Sequence, residues 1–271
     1  MHDEAAVAER FLALHRSERP LVMANVWDRG SARLLASLGF AALATTSSGH
    51  AASLGRLDYE VSRDEALAHA GDLTAAVEVP ISADLEDCFP REPGGIAETV
   101  RRAAAAGLAG CSIEDWDQAE GSLIEVERAA ERVSLAVEQA RTPGARLVIT
   151  ARAENHIRGN PDIEDTVERL RAYQQAGADV LYAPGVERLQ DIELIVSSVE
   201  RPVNVLIRPG TPSLSTLAEA GVARVSIGGA LAFFAYGSVA RAAAELLNEG
   251  SYGFLEDAAT GSAAARSAFG R

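Results

Sequence analysis

The chain has 271 residues, a formal net charge of −14 and a pI of about 4.8. That acidity disfavours nucleic acid and anionic membranes as partners, and the two cysteines, Cys88 and Cys111, form no disulfide framework. All 25 basic residues are arginine, so Schiff-base, pyridoxal-phosphate and Walker-type chemistries, which need a lysine, are excluded.

The length suits one large domain, and an α/β barrel typically takes about 250 residues. The first ten residues are charged and helix-like, without the apolar centre of a signal peptide. No apolar stretch is expected to approach the roughly 20 residues of a membrane span. A reducing cytoplasm is the expected location.

In chain order, apolar β-like runs fall at Leu21–Val26, Ala41–Thr46, Ile81–Leu85, Cys111–Ile113, Leu147–Arg152, Val180–Ala183, Val203–Ile207 and Arg224–Ile227. Stretches with helical spacing lie between them: Ser31–Leu38, Arg63–Val77, Ile96–Ala106, Leu123–Ala140, Ile163–Ala176, Leu189–Val199 and Ser213–Ala220. A last helical stretch, Leu231–Leu247, follows the eighth run. Gly39, Gly107, Gly177 and Gly221 each sit where a helix should end, just before the next strand. Eight short strand–helix alternations imply parallel strands and a (β/α)8 TIM barrel, with a doubly wound open sheet as the alternative. Residues 1–250 are expected to form the barrel domain. Residues 251–271 form a small-residue tail, mobile or packed on a partner subunit.

Two of the runs end in carboxylates: Asp84, Glu86 and Asp87 after the third, Glu114 and Asp115 after the fourth. An unpaired acid is disfavoured inside a strand, whereas the C-terminal strand ends of a barrel open into the ligand site. The second run leads to Ser47, Ser48, Gly49 and His50, the fifth ends in Arg152 and Glu154, and the seventh carries Asn204. Residues two apart on a strand share a face, so Asp84 and Glu86 are expected to point together and Asp87 elsewhere. Carboxylates with water suit Mg²⁺, with Mn²⁺ as the alternative, and no His/Cys spacing suits zinc. The Ser48–His50 turn can hold an acid group on backbone N–H groups, and Arg152 supplies a fixed cation. Singly each residue has a plain structural use: Asp84 as a helix cap, Glu114 as an ion-pair partner of Arg152, His50 as a turn residue. Their joint placement at successive strand ends points to a site.

These segments make the chain similar to the isocitrate lyase/phosphoenolpyruvate mutase superfamily. The resemblance rests on Asn25 to Asp28, Thr45 to Gly49, Ser53 to Gly55 with Asp58, Val79 to Asp87, Ile113 to Asp115, Ala151 to Glu154, Gly177 to Asp179, Pro202 to Val205 and Arg224 to Gly229, in order. It implies a barrel whose Mg²⁺ binds a 2-oxo acid or its enolate. Asp84 matches the family's principal metal ligand, Glu86 and Glu114 two further acids, and Asp58 an acid beside the metal. Ser48, Gly49 and the His50 backbone match the turn that binds the substrate carboxylate, and Arg152 the arginine that stabilises the oxyanion. A homotetramer or homodimer with an exchanged C-terminal helix is implied as well. The lyases' Lys-Lys/Arg-Cys-Gly-His lid is replaced here by the stretch Trp116 to Leu123, which has no Cys, Lys or His.

The expected activity is therefore Mg²⁺-dependent cleavage of a C–C bond beside a small 2-oxo or 2-hydroxy acid, through an enolate. Oxaloacetate-type decarboxylation or hydrolysis, or a retro-aldol lyase step, are the forms it can take. Arg152, Glu114, Asp58 and His50 are the catalytic candidates. Ser47, Ser48, Gly49, His50, Arg152 and Asn204 are the substrate-binding candidates. Phosphonopyruvate hydrolase or mutase chemistry, or 2-oxo-acid binding without turnover, are the alternatives.

Overall fold

Short β-branched and alanine-rich segments buried on both faces form the strands, as in Val148-Ile149-Thr150-Ala151. In the computed structural model, which describes residues 4–17 and 19–270, these are β1 (Leu21–Val26), β2 (Leu43–Thr45), β3 (Ile81–Asp84), β4 (Gly110–Glu114), β5 (Trp116–Asp117), β6 (Ser122–Leu123), β7 (Val148–Arg152), β8 (Val180–Tyr182), β9 (Val203–Leu206) and β10 (Arg224–Ser226). All except β5 and β6 are parallel and close on themselves in the order β1-β10-β9-β8-β7-β4-β3-β2. Closure excludes the open doubly wound sheet. The β5–β6 pair is a small antiparallel hairpin over the C-terminal end, so Leu123 belongs to a strand and not to the following helix.

Helices α1 (Glu4–Ala13), α2 (Arg29–Ser37), α3 (Ser47–Ser53), α4 (Arg63–Thr74), α5 (Gly95–Ala105), α6 (Val126–Gln139), α7 (Ile163–Gln175), α8 (Leu189–Ser198), α9 (Leu214–Glu219), α10 (Ala230–Asn248) and α11 (Leu255–Phe269) surround the strands. Side-chain caps fix the starts of α2, α3, α4, α7 and α9. Asp28 accepts from Ser31 N at 2.6 Å, and Ser62 and Glu65 form a reciprocal capping box. The four expected helix-ending glycines have φ of +97°, +80°, +97° and +80°, a left-handed conformation that suits glycine.

The main core lies between barrel and helices, where Ile149, Ala151, Leu170, Leu181 and Val225 are fully buried. Truncating one such leucine costs about 2–5 kcal/mol. A second cluster closes the N-terminal end of the barrel: Ala8 and Phe11 of α1 pack on Leu21, Met23, Ala109, Val148 and Val180.

Three local readings change. The Ser47–His50 stretch is the first turn of α3, capped by Thr46, and not an open turn. Asp84 is the last residue of β3, and Glu86 follows in a left-handed conformation (φ +52°), so strand alternation does not extend to it. By length and hydropathy α10 does reach the range of a membrane span, and only 6% of that window is buried. Its apolar residues Phe233, Phe234, Val239 and Leu247 are exposed on this chain. Beyond it, α11 runs back against α2, with Ala268 buried and Arg33 Nη2 donating to Phe269 O at 3.3 Å.

Candidate active site

Register places the key charges side by side. Glu114 pairs with Arg152 across β4 and β7, and Asp84 with Ser112 across β3 and β4. Arg152 thereby meets three acids: Asp84 Oδ1 at 2.9 Å, Glu154 Oε1 at 2.8 Å and Glu114 Oε2 at 3.2 Å. Its guanidinium also lies 5.3 Å from the Tyr182 ring centre. Burial opposes its charge, but Glu154, Glu114 and Asp84 outweigh that and hold its pKa well above the usual arginine value. Asp84 is further fixed by Ser112 Oγ at 3.2 Å and by Ser47 Oγ at 3.0 Å.

The acids form an excess. Burial, then Asp84, Asp58 and Asp87, push the Glu86 carboxyl up to about 8. Burial and Asp84 raise Asp58 as well, and burial with Glu154 raises Glu114. Such mutual repulsion is what a bound divalent cation would relieve. Among the described residues, no three Asp, Glu, His or Cys side chains are already gathered about one point. The donors on offer are nonetheless all hard oxygens, with neighbouring hydroxyls and room for water, as Mg²⁺ requires.

Asp84, Glu114, Arg152, Ser47, Ser48, Asp58 and Asn204 all line one cavity of about 210 Å³ at the C-terminal end of the barrel. Glu86 and His50 do not line it. They border a small adjoining pocket, with Asp84 and Ser47 forming the wall between the two. Gly49 N donates to Thr46 Oγ1 at 3.2 Å and His50 N to Thr46 O at 3.0 Å, so both are engaged within α3. Ser47 N donates to Asp84 Oδ2 at 3.3 Å. The His50 ring stacks on His69 at 3.6 Å, and burial followed by His69 pushes its pKa down to about 4, leaving it neutral at pH 7. Asn204 lies deeper, accepting from Arg224 Nε at 2.8 Å and donating to Ser226 Oγ at 3.0 Å.

Two further groups complete the rim. Tyr59 donates its hydroxyl to Glu114 Oε1 and accepts from Arg158 Nη2. Arg158 lies 4.4 Å from the Trp116 ring centre and 5.3 Å from that of Tyr59, and pairs with Glu154 at 3.4 Å. Tyr59 holds φ +67°, rare for a bulky residue, and its two hydroxyl partners stabilise it there. Sequence reasoning missed both. The available signals were adjacency of Tyr59 to Asp58 and the four-residue step from Glu154 to Arg158. Asp115, by contrast, faces away, bonded to Arg169 Nη1 at 3.0 Å and to the Tyr173 hydroxyl, and supports the fold.

The sequence profile of the family described as phosphoenolpyruvate phosphomutase matches residues 11–247. Oxaloacetate decarboxylase 2 of Pseudomonas fluorescens is 31% identical over 212 residues, covering 75% of this chain and 71% of that protein. A solved chain of Burkholderia cenocepacia J2315, described as a candidate lyase/mutase, matches with a TM-score of 0.89 and 46% identity over 93% of this chain and 92% of that one. The solved 2,3-dimethylmalate lyase matches with a TM-score of 0.81 and 26% identity over 91% and 89%. An acid-ringed cavity at the mouth of a closed parallel barrel and these matches together place the chain among the enzymes of the isocitrate lyase/phosphoenolpyruvate mutase superfamily.

Proposed function

We propose that this enzyme is a Mg²⁺-dependent carbon–carbon lyase acting on a small 2-oxo diacid, with decarboxylation of an oxaloacetate-like substrate as its reaction. The observation that supports this most is the contact of Arg152 with Asp84 and Glu114 on the wall of a small cavity, beside acids whose protons are held too tightly. Asp84 would hold the ion, with Glu114 and Asp58 on the same cavity wall and Glu86 beside Asp84 from the adjoining pocket. When bound, Mg²⁺ would polarise the substrate's 2-oxo group as a Lewis acid.

The chain's own residues supply the rest. Arg152 faces the negative charge that develops on the carbonyl oxygen as the bond breaks. The Ser47 and Ser48 hydroxyls bind and orient the acid group, and Asn204, held by Arg224 and Ser226, lies on the wall below it. Loss of carbon dioxide requires no protein base for the cleavage itself. That matches a site in which His50 is a weak base outside the main cavity and Glu114 is tied to Arg152 and Tyr59. The decarboxylase among the relatives supports the same reading. The exposed apolar face of α10 fits burial between copies of this chain in a cytoplasmic homo-oligomer.

Pyruvate release should be assayed across 2-oxo and 2-hydroxy diacids with Mg²⁺ and with EDTA. Metal-dependent release from a 2-oxo diacid is expected, and no metal-dependent turnover on any of them would sink the reading. The family description also favours a second reading, P–C bond chemistry on phosphonopyruvate. Free phosphate or phosphoenolpyruvate formed from that compound would select it.

A further inference from the structure

The interior of a (β/α)8 barrel is ordinarily filled with Val, Ile and Leu. Here Ser82, Ser112, Thr150 and Ser226 line the bore below the rim, and the cavity continues past them to Arg224. Arg224 is only 5% exposed. Its partners are neutral: Nε donates to Asn204 Oδ1 at 2.8 Å, Nη2 to Thr150 Oγ1 at 3.2 Å, and Nη1 lies 3.2 Å from His15 Nε2. His15 is itself held neutral, burial and Arg224 pushing its pKa down to about 3.

Among the described residues no carboxylate lies within ion-pair distance of Arg224, whereas Arg152 on the wall of the same cavity has three and Arg158 at its rim has two. A buried cation with only neutral partners is costly, and an anion is the group that relieves it. Burial alone pulls its pKa down to about 10, so it still carries its charge at neutral pH. Its five N–H donors exceed the three bonds it makes to the protein, which leaves donors for a ligand.

The spacing sets the ligand's length. Thr150 and Arg152 are two residues apart on the same face of β7, a rise of about 7 Å. Arg224, on Thr150, therefore lies about one side-chain layer beneath Arg152.

We infer that Arg224 is an anion subsite at the floor of the cavity, and that it takes the distal carboxylate of a four- or five-carbon diacid whose 2-oxo-acid end is held at Asp84 and Arg152, as a ground-state binding contact that must break before that group can depart as carbon dioxide. This rests on the 2-oxo-diacid reading above and adds to it which residue takes the distal carboxylate and that the substrate lies lengthwise in the bore. A specificity contact of this kind discriminates by about thirty-fold or more.

The test measures affinities, with Mg²⁺ present, for pyruvate, oxaloacetate and 2-oxoglutarate, and for the distal methyl ester of each diacid. The wild-type protein should bind the better diacid at least about thirty-fold more tightly than its ester. Arg224→Gln should erase that ratio while leaving pyruvate affinity unchanged, and Arg224→Lys should restore part of it. A wild-type protein that treats acid and ester alike overturns the subsite, and this arm decides alone if the variants do not fold. An Arg224→Gln protein that keeps the ratio, or loses pyruvate affinity in parallel, overturns it too. If the wild type binds no pyruvate at all, the 2-oxo-acid reading fails and the subsite falls with it. Pyruvate binding without preference for a diacid removes the subsite alone.

Discussion

Arg152 Nη1 lies 2.9 Å from Asp84 Oδ1, and the same guanidinium reaches Glu114 and Glu154. One cation therefore balances acids delivered by three strands. Arg152→Gln should lower turnover by about 10²–10³-fold, the usual effect of losing one donor to a developing oxyanion. The protein should remain folded, because Arg152 faces the cavity and not the core. Steady-state kinetics with circular dichroism checks this, and near-normal turnover in the folded variant would refute it.

The Glu86 carboxyl gives a pH signature. Its pKa is about 8 in the folded chain, raised by burial and by Asp84, Asp58 and Asp87. The unfolded chain releases this proton near pH 4.5. Between those values the folded form binds more protons, so stability falls as pH rises through that window, by on the order of a few kcal/mol at full extent. Metal-free wild type should melt at progressively lower temperature from pH 5 to pH 8, and Glu86→Gln should flatten the slope. Added Mg²⁺ should stabilise the wild type more at pH 8 than at pH 5, because binding requires the ionised acid.

Tyr59 fixes Glu114 from outside. Tyr59→Phe removes the hydroxyl that reaches the Glu114 carboxylate, leaving a buried acceptor short of a donor. A loss of about 1–2 kcal/mol in urea unfolding is expected. Turnover should fall by about tenfold as Glu114 loses its fixed position. Unchanged unfolding and turnover would show that the contact is incidental.

Adjacent acids should separate cleanly. Asp115→Asn removes one of the two charge partners of the buried Arg169, leaving only Asp165, and weakens the Tyr173 bond. It should cost about 3 kcal/mol of stability. Glu114→Gln should abolish activity at far smaller cost, because Arg152 keeps Asp84 and Glu154 as charge partners. Thermal melts of both variants, beside their activities, decide between this division of labour and a shared role.

The framework of this site was legible in the sequence because strands buried on both faces cannot carry unpaired acids, so Asp84 and Glu114 marked strand ends. Arg152 followed for the same reason. What was not legible depended on chain reversals. Glu86 leaves the strand through a left-handed residue, which alternation cannot foresee. The α3 turn was hidden because Ser47, Ser48 and Gly49 are weak helix formers, and the Thr46 cap outweighed that propensity. Tyr59 and Arg158 come from loops, and only tertiary packing brings them to Glu114. Arg224 read as an ordinary strand residue, because nothing local shows that its partners are all neutral.

The apolar face of α10 should hold copies of the chain together. Phe234→Arg combined with Leu247→Glu places charges on two exposed apolar positions without touching the core. Light scattering should report an oligomer for the wild type and a smaller species for the double variant. A wild type that is already monomeric would remove the interface.

Because Phe11 and Ala8 pack over the strand starts and His15 backs Arg224, the lower end of the barrel is a blind end. Whatever enters past Trp116, Tyr59 and Arg158 must also leave past them. A fragment released deep in the bore would wait behind the one released nearer the rim, so departure becomes ordered by depth. Product inhibition should then differ in kind between the two fragments, one competing with substrate and the other acting on the already loaded site.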